Sequence, residues 1–210
     1  MLKLIRLIFS SHFSARLRGL IYSLIDKRNK NYKLVLYRPL RYSYRSIAFD
    51  QNGRATIFSN ARIEGVKSYM GIAYTPLIIL HNGVSIQQNS HITCAERIEI
   101  GSNTAIAANV TITDIDHPYE DVNTPIEDQP LIVSPVKIGK DCKIYNNAVI
   151  LQGTTIGNHC VVGANSVVKG IFPDYSIIVG TPARIVKRYN AGTKSWERTN
   201  ADGSFIVKEK

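Results

Sequence analysis

The sequence lacks an uninterrupted apolar run of about 18 residues, the length that a membrane-spanning helix needs. Its apolar start, "MLKLIRLIFSSHFSARLRGL", is interrupted by lysine and arginine and makes a poor signal peptide. Cysteine is also scarce. Cys94, Cys142 and Cys160 are an odd number without a C-x-x-C pair. This usage favours free thiols in a reducing compartment over a disulfide framework.

Acidic residues are almost missing from the N-terminus, where residues 1–47 carry eleven Lys and Arg against the single Asp26. We therefore expect a basic N-terminal arm. Apolar residues in it recur at helix-like spacing: Leu2, Ile5, Phe9, Phe13, Leu17, Leu20 and Leu24. This pattern is compatible with two interpretations. Residues 1–25 rest on an anionic membrane surface, or the helix packs on its own domain or on a partner subunit. Nucleic acid is not an expected partner, because no nucleic-acid module accompanies the charge.

A six-residue repeat dominates the rest of the chain. From Ile138 the sequence divides into "IGKDCK IYNNAV ILQGTT IGNHCV VGANSV", with an aliphatic residue first and a small residue fifth. Units in the same phase begin at Ile57, Leu80 and Ile100, which makes thirteen hexads in all. The repeat is interrupted at 69–79, 98–99 and 118–137.

A period of six does not fit an α-helix, whose apolar stripe recurs every 3.6 residues, but it suits a short strand followed by a corner. It predicts a parallel β-helix whose equivalent residues stack about 4.8 Å apart. With three hexads per turn, Cys142 and Cys160 become stacked interior neighbours, and burial makes them unreactive. We interpret Gly139, Gly157 and Gly163 as corner residues with unusual backbone dihedrals.

Three motifs add to the hexads: "DIDHP" before the longest interruption, "PVKIG" where the repeat resumes, and "SVVKGIFPDYSIIVGTPARIVKR" at its end. With them the chain resembles the left-handed β-helix (hexapeptide-repeat) acyltransferases. It is most similar to the galactoside/maltose acetyltransferase-like group, which includes O-acetyltransferases of bacterial surface polysaccharides. The resemblance implies an all-β, left-handed parallel β-helix, a homotrimer with active sites between subunits, and acetyl-CoA as the donor.

Three segments are expected on this basis. Residues 1–47 form the basic amphipathic arm, and residues 48–183 form the β-helix with an acceptor loop at 117–135. Residues 184–210 form a C-terminal cap with a hairpin around Asp202-Gly203, a pair typical of tight turns.

His117 is the candidate catalytic residue. A sugar hydroxyl is a poor nucleophile unless its proton leaves as it attacks, and an imidazole can accept that proton near neutral pH. His117 ends a hexad and opens the longest loop, so a rigid coil holds it beside a variable segment. The family's catalytic histidine falls on this motif. No metal is expected, because a zinc enzyme of this fold would need closely spaced histidine ligands that the chain lacks.

The other candidate site residues fall into two sets. Acceptor binding is assigned to Gln87, Asp114, Asp116 and Tyr119, and orienting the imidazole is the alternative role for one of the two aspartates. The resemblance places acetyl-CoA on Lys143, Asn146, Ala164, Lys169, Gly170, Arg184 and Lys187, with the basic residues meeting phosphate. Two positions depart from the family pattern: Lys143 stands where relatives have Trp, and Gln87 where they tend to have Asn. The acceptor therefore differs from simple galactosides.

Together these features predict an acetyl-CoA-dependent O-acetyltransferase that modifies a sugar hydroxyl, in a bacterial surface polysaccharide or a lipid-linked saccharide. Its expected location is the cytoplasm, at the periphery of the inner membrane. Two alternatives stand beside it: a non-catalytic β-helix scaffold and a nucleotide-sugar N-acetyltransferase.

Overall fold

The computed structural model describes residues 11–25, 35–37, 41–42, 46–49 and 53–206. These ranges contain the helix α1 (Ser11–Ile25) and a 3-10 turn at Ile126–Asp128. Strands form almost all of the remaining regular structure. In chain order they are β1 (Val35–Leu36), β2 (Arg41–Tyr42), β3 (Ile47–Phe49), β4 (Thr56–Ile57), β5 (Arg62–Gly65), β6 (Ser68–Tyr69), β7 (Ile72–Ala73), β8 (Leu77–Leu80), β9 (Ser85–Ile86), β10 (His91–Cys94), β11 (Arg97–Ile100), β12 (Ala105–Ile106), β13 (Thr111–Thr113), β14 (Ile115–Asp116), β15 (Ile132–Val133), β16 (Val136–Ile138), β17 (Lys143–Ile144), β18 (Val149–Ile150), β19 (Thr155–Ile156), β20 (Val161–Val162), β21 (Val167–Val168), β22 (Ile171–Phe172), β23 (Ser176–Gly180), β24 (Ala183–Asn190) and β25 (Ser195–Arg198).

Three stacked sheets form the faces of a triangular coil. Sheet A has the order β1-β4-β9-β12-β17-β20-β23-β24-β25, sheet B the order β2-β5-β10-β13-β18-β21, and sheet C the order β22-β19-β16-β11-β8-β3. Successive strands pass from A to B to C, and each pairs in parallel with its equivalent one turn away. The expected left-handed parallel β-helix is confirmed.

The hexad residues point inward as predicted. The first-position residues are at most 1 % exposed throughout the downstream run: Ile138, Ile144, Ile150, Ile156, Val162 and Val168. Cys142 and Cys160 are both buried, next to the paired residues Lys143 and Val161, so their predicted stacking is confirmed. A hydrogen bond with Cys142 and burial together raise the pKa of the Cys160 thiol.

The prediction that Gly139, Gly157 and Gly163 have unusual backbone dihedrals is wrong, because none of them has a positive φ. Positive φ falls two residues further on, as at Asp141 (57°), His159 (52°) and Asn165 (57°). Gly139 is needed because consecutive coils touch there: a Cβ on it would overlap the carbonyl oxygen of Gly157. The glycines therefore permit close backbone approach, while asparagine and aspartate, which tolerate the left-handed region, supply the bend.

All three interruptions of the repeat lie at the corner between sheet B and sheet C, here called the B–C corner. The first forms the hairpin β6–β7, between β5 and β8. The second adds two residues at Ala95–Glu96, between β10 and β11, and not at 98–99 as the repeat suggested. The third is the loop that starts at His117 and is closed by β14 and β15.

The ends of the coil differ from the expected segments. Strands β1, β2 and β3 already pair with the coil, so the β-helix begins inside the predicted arm. Helix α1 packs beside β1, where Arg18 Nε donates to the carbonyl oxygens of Leu36 and Tyr37. Leu2, Ile5 and Phe9 lie outside the described residues. In the part of the chain that the structure describes, no helix is long and apolar enough to cross a membrane.

The C-terminal segment turns back on the coil. Parallel pairing ends at β23, and β24 and β25 add to the same sheet as antiparallel strands. Thr199 and Phe205 form an antiparallel bridge around the predicted Asp202-Gly203 turn, with Gly203 at φ 87°. The expected hairpin is thus present, preceded by a second one that the sequence analysis missed.

Candidate functional site

A cleft of about 360 Å³ opens at the B–C corner beside His117. Three consecutive coils line it. The first contributes the start and end of the acceptor loop, the second Gln152 and Gly153, and the third Lys169 and Gly170. Parallel pairing of β13, β18 and β21 fixes the height of each contribution. The interruption at His117 therefore opens a cavity at this corner.

The two ring nitrogens of His117 have different surroundings. Nδ1 is buried and has no hydrogen-bond partner among the described residues. Because the residue lines the cleft, Nε2 is the ring nitrogen that is left to meet a ligand there. The ring of Tyr69 lies against the imidazole in an edge-to-face arrangement, with 5.6 Å between centroids and 78° between planes. A neutral imidazole with its proton on Nδ1 offers a single lone pair, on Nε2, to whatever enters the cleft.

Asp116 also lies in the cleft, but its carboxylate holds the backbone of His117 and not the ring. Oδ1 accepts the His117 backbone N–H at 2.9 Å, and Oδ2 accepts a hydrogen bond from the side-chain amide of Gln152. The ammonium of Lys169 is 4.0 Å from the same Oδ2. Because Asp116 keeps an exposed carboxylate, it is still able to meet a ligand.

Asp114 does not reach the cleft. Its side chain is fully buried and accepts backbone N–H groups from Ala95, Glu96 and Arg97, each at 2.8 Å. The carboxylate therefore satisfies the two-residue insertion between β10 and β11, whose donors would otherwise be buried without partners. The prediction that Asp114 binds the acceptor is wrong for this reason. Burial and the charge of Asp114 raise the pKa of the neighbouring Cys94 thiol.

The remaining acceptor candidates are divided between two corners. Tyr119 lines the cleft and is 69 % exposed. Gln87 follows β9 of sheet A, at the corner between sheets A and B, here called the A–B corner. Within one chain Gln87 is therefore not part of the His117 cleft.

The predicted donor residues fall into three groups. Lys169 and Gly170 line the cleft. Asn146 and Ala164 occupy the A–B corner on successive coils, where the Asn165 N–H donates to the Asn146 carbonyl at 3.1 Å. The third group lies on sheet A and its antiparallel extension: Lys143 on β17, and Arg184 and Lys187 on β24. Within one chain the cleft at the B–C corner is separate from the other two groups, whereas the turn before Arg184 contacts the A–B corner through the Thr181 hydroxyl, which donates to the Asn165 carbonyl at 3.1 Å.

Lys143 has an aromatic neighbour that the sequence analysis did not consider. Its ammonium lies 5.6 Å from the ring centroid of Tyr145, which is 45 % exposed. A cation–π contact of this kind orders the lysine on the surface of sheet A. An aromatic ring is thus present two residues after Lys143.

Gln152, Ser134 and Tyr69 are among the site residues that the sequence did not reveal. Gln152 is buried and bonded to Asp116, but polar residues are common at the third hexad position, so no signal marked it. Ser134 lines the cleft from the loop end. Tyr69 lies in the first interruption. The available signal was that both long interruptions fall after strands of the same face.

Comparison with known proteins agrees with this architecture. Residues 135–170 match the family described as bacterial transferase hexapeptide (six repeats). A protein of Escherichia coli strain K12 named as a lipopolysaccharide biosynthesis O-acetyl transferase, WbbJ, is 36 % identical over 78 % of this chain and 87 % of its own length. Galactoside O-acetyltransferase of the same strain is 31 % identical over 56 % of this chain and 58 % of its own.

A solved structure shares the fold at low identity. AntD, an N-acyltransferase from Bacillus cereus in complex with dTDP and 3-hydroxybutyryl-CoA, superposes with a TM-score of 0.65. The match covers 81 % of this chain and 88 % of that one, with 16 % identity. At that identity the likeness concerns the fold.

Proposed function

Because the chain belongs to the hexapeptide-repeat acetyltransferases, we propose that it transfers an acetyl group from acetyl-CoA to a sugar hydroxyl with His117 as general base. The observation that carries the proposal is the imidazole of His117, which lines a cleft built by three coils and has Nδ1 buried, so that Nε2 is the nitrogen left to act on a ligand. Such a nitrogen is the group that an alcohol nucleophile requires.

The reaction balances with this one base. Nε2 removes the hydroxyl proton while the oxygen attacks the thioester carbonyl carbon, so that a C–O bond forms. The C–S bond then breaks, and the leaving sulfur takes the proton back from the imidazolium as the free thiol of coenzyme A. Because Nδ1 is sealed from the cleft, the same nitrogen accepts and returns the proton.

The donor's phosphates are assigned to the basic residues Lys169, Arg184 and Lys187. Lys169 supports this assignment because its side chain is 59 % exposed and the residue lines the cleft. Charge-assisted hydrogen bonds to phosphate are among the stronger polar contacts. Gly170, Asn146, Ala164 and Lys143 complete the proposed donor site along the surface of the coil.

The acceptor is proposed to be a saccharide of a bacterial surface polysaccharide or a lipid-linked precursor. The name of the WbbJ relative, which refers to lipopolysaccharide biosynthesis, supports this class. Asp116 and Tyr119 offer a carboxylate and a phenol to sugar hydroxyls from the cleft wall. Gln87 supplies an amide from the A–B corner.

A homotrimer with active sites between subunits would unite the two corners. In one chain the His117 cleft is at the B–C corner, whereas Gln87, Asn146 and Ala164 are at the A–B corner. Ile171, beside the cleft, is 80 % exposed, as expected of a surface that another copy covers. Sedimentation equilibrium tests the trimer: a monomer mass at micromolar concentration would contradict it.

Peripheral membrane contact through residues 1–25 is the proposed role of the basic arm. Helix α1 packs its small residues Ala15 and Gly19 inward and leaves larger ones exposed: Phe13, Leu17, Leu20, Ile21 and Leu24. The excess of basic residues in this segment favours an anionic surface. The proposed location is accordingly the cytoplasm, at the inner membrane. Co-sedimentation with anionic but not neutral vesicles tests it, with a Leu17→Ser, Leu24→Ser variant as the control.

The experiment that tests the reaction is acetyl-CoA turnover with a panel of oligosaccharides. Release of free coenzyme A thiol and an acetylated product that hydroxylamine cleaves are expected, since an ester is labile and an amide is not. A hydroxylamine-stable product would indicate an N-acetyltransferase. A scaffold would show no turnover and no thermal stabilisation by millimolar coenzyme A, because a ligand that binds the folded form must stabilise it.

A further inference from the structure

The hairpin β6–β7 and the acceptor loop meet beside His117, although they leave the coil at different heights. The hairpin follows β5, and β5 lies two coils below β13, about 10 Å along the axis. The hairpin therefore extends past the intervening coil to reach the loop. Its contact with the loop is made by Tyr69.

Tyr69 makes two contacts at once. Its hydroxyl donates a hydrogen bond to the Glu127 carbonyl at 2.6 Å and lies 3.2 Å from Oε2 of the same residue, in the 3-10 turn. Its ring meets the imidazole of His117 edge to face. Desolvation and the negative charge of Glu127 raise the pKa of Tyr69, so the phenol stays protonated and remains a donor.

The backbone of the hairpin holds this side chain in place. Tyr69 pairs with Ile72 across a two-residue turn in which Met70 (φ 49°) and Gly71 (φ 75°) are both left-handed. Such turns match the twist of a hairpin, but a methionine at positive φ is strained. A second bond, from the Tyr74 N–H to the Lys67 carbonyl at 2.8 Å, closes the base of the hairpin.

The backbone position of His117 does not by itself fix the orientation of its imidazole ring. An imidazole rotates broadly about its last side-chain torsion, and rotation by half a turn would exchange the ring atoms that face the cleft. The hydrogen bond to Asp116 is made by the backbone of His117 and not by its ring. The Tyr69 ring packs edge to face against the His117 ring and so favours one orientation of it.

We propose that Tyr69 is a positioning residue that holds the His117 imidazole with Nδ1 inward and Nε2 toward the cleft, while its hydroxyl fastens the acceptor loop. The inference rests on the proposed function of His117 as the base. The two contacts have separate consequences. The ring sets the fraction of productive imidazole and hence kcat, and the hydroxyl sets the order of the loop and hence the KM of the acceptor.

The test compares Tyr69→Phe, Tyr69→Ala and Tyr74→Ala in the full-length protein, by steady-state kinetics and by NMR of histidine-labelled samples. Tyr74 stands on the same hairpin and serves as the matched control. Tyr69→Phe should keep kcat within about twofold and raise the acceptor KM. Tyr69→Ala should lower kcat about three- to tenfold, the range of an aromatic pair, and shift the His117 ring resonances. Tyr74→Ala should leave kcat and those resonances at the wild-type values.

Three outcomes would overturn the inference: unchanged kcat and His117 resonances in Tyr69→Ala, equal kcat losses in Tyr69→Phe and Tyr69→Ala, or the same resonance shift in Tyr74→Ala. If Tyr69→Ala has a lower Tm, Tyr69→Leu replaces it, since leucine keeps apolar volume without a ring. The NMR readout needs no turnover. It therefore tests the contact even if an active His117→Asn variant refutes the proposed function.

Discussion

The side-chain amide of Gln152 donates a hydrogen bond to Oδ2 of Asp116, which ties two consecutive coils together at the wall of the His117 cleft. The other oxygen of Asp116 accepts the backbone N–H of His117 at 2.9 Å. Gln152 thus acts on the base through one intermediate residue. Its amide is buried in the coil and anchors the first residues of a long loop.

Replacing Gln152 by leucine should reduce activity more than it reduces stability. The substitution leaves Oδ2 of Asp116 without its amide donor and loosens the start of the loop. We expect kcat/KM for the acceptor to fall about 10- to 100-fold, the value of a hydrogen bond to a charged group. Gln152→Glu should fall further, because it places two carboxylates together. Wild-type kinetics in both variants would refute the role of this contact.

Close approach of the coils predicts a steric effect at Gly139. A methyl group there would overlap the Gly157 carbonyl, so Gly139→Ala should lower the free energy of unfolding by about 3 kcal/mol. Gly71→Ala is the control: φ is 75° and nothing lies within 4 Å of the added Cβ. It should lose only about 1 kcal/mol for its left-handed backbone. Urea denaturation measures both; equal losses would contradict the steric explanation.

At Asn109, which has a left-handed backbone, alanine should destabilise the fold more than glycine does. Its φ is 60°, a conformation that asparagine and glycine tolerate better than alanine. Asn109→Ala should destabilise the fold by about 1 kcal/mol, and Asn109→Gly by no more than about 0.5 kcal/mol. A larger loss for glycine than for alanine, in the same denaturation assay, would be inconsistent with a backbone cause.

Lowering the pH should remove the contribution that Asp174 makes to the free energy of unfolding. This carboxylate accepts the Asn158 backbone N–H at 2.7 Å and the Asn158 side-chain amide at 3.1 Å, and these bonds lower its pKa. A lowered folded-state pKa means that the contribution is present above the unfolded value, about 3.9, and is lost as pH falls through the folded one. The wild type should exceed Asp174→Asn by less than about 1 kcal/mol at pH 6, because the group is exposed. A difference that grows toward pH 3 would contradict this sign.

The hexads predicted the fold because their period reports directly which residues face the interior. Ile138 and Ile156 are buried for that reason. The stacking of Cys142 on Cys160 was predicted from their separation of 18 residues. His117 was found because it stands where the period stops. Regular spacing therefore revealed the coil, and its loss revealed the cleft.

Contacts between coils of unequal length could not be predicted from the hexad period. Asp114 is 19 residues from Ala95, and Tyr69 is 58 from Glu127. These separations depend on the sizes of the interruptions and not on the repeat. The sequence therefore left Asp114 as an apparent acceptor ligand, although its carboxylate serves a two-residue insertion. It also gave no sign that the two long interruptions touch.

The most direct measurement of the central claim is the rate of acetyl transfer by His117→Asn, compared with wild type and with His91→Asn as a matched control. Thermal stabilisation by coenzyme A is measured in parallel. We predict a rate at least about 100-fold lower in His117→Asn, the usual contribution of a general base, with the same coenzyme A stabilisation and a normal rate in His91→Asn. A His117→Asn rate within about threefold of wild type would contradict His117 as the base.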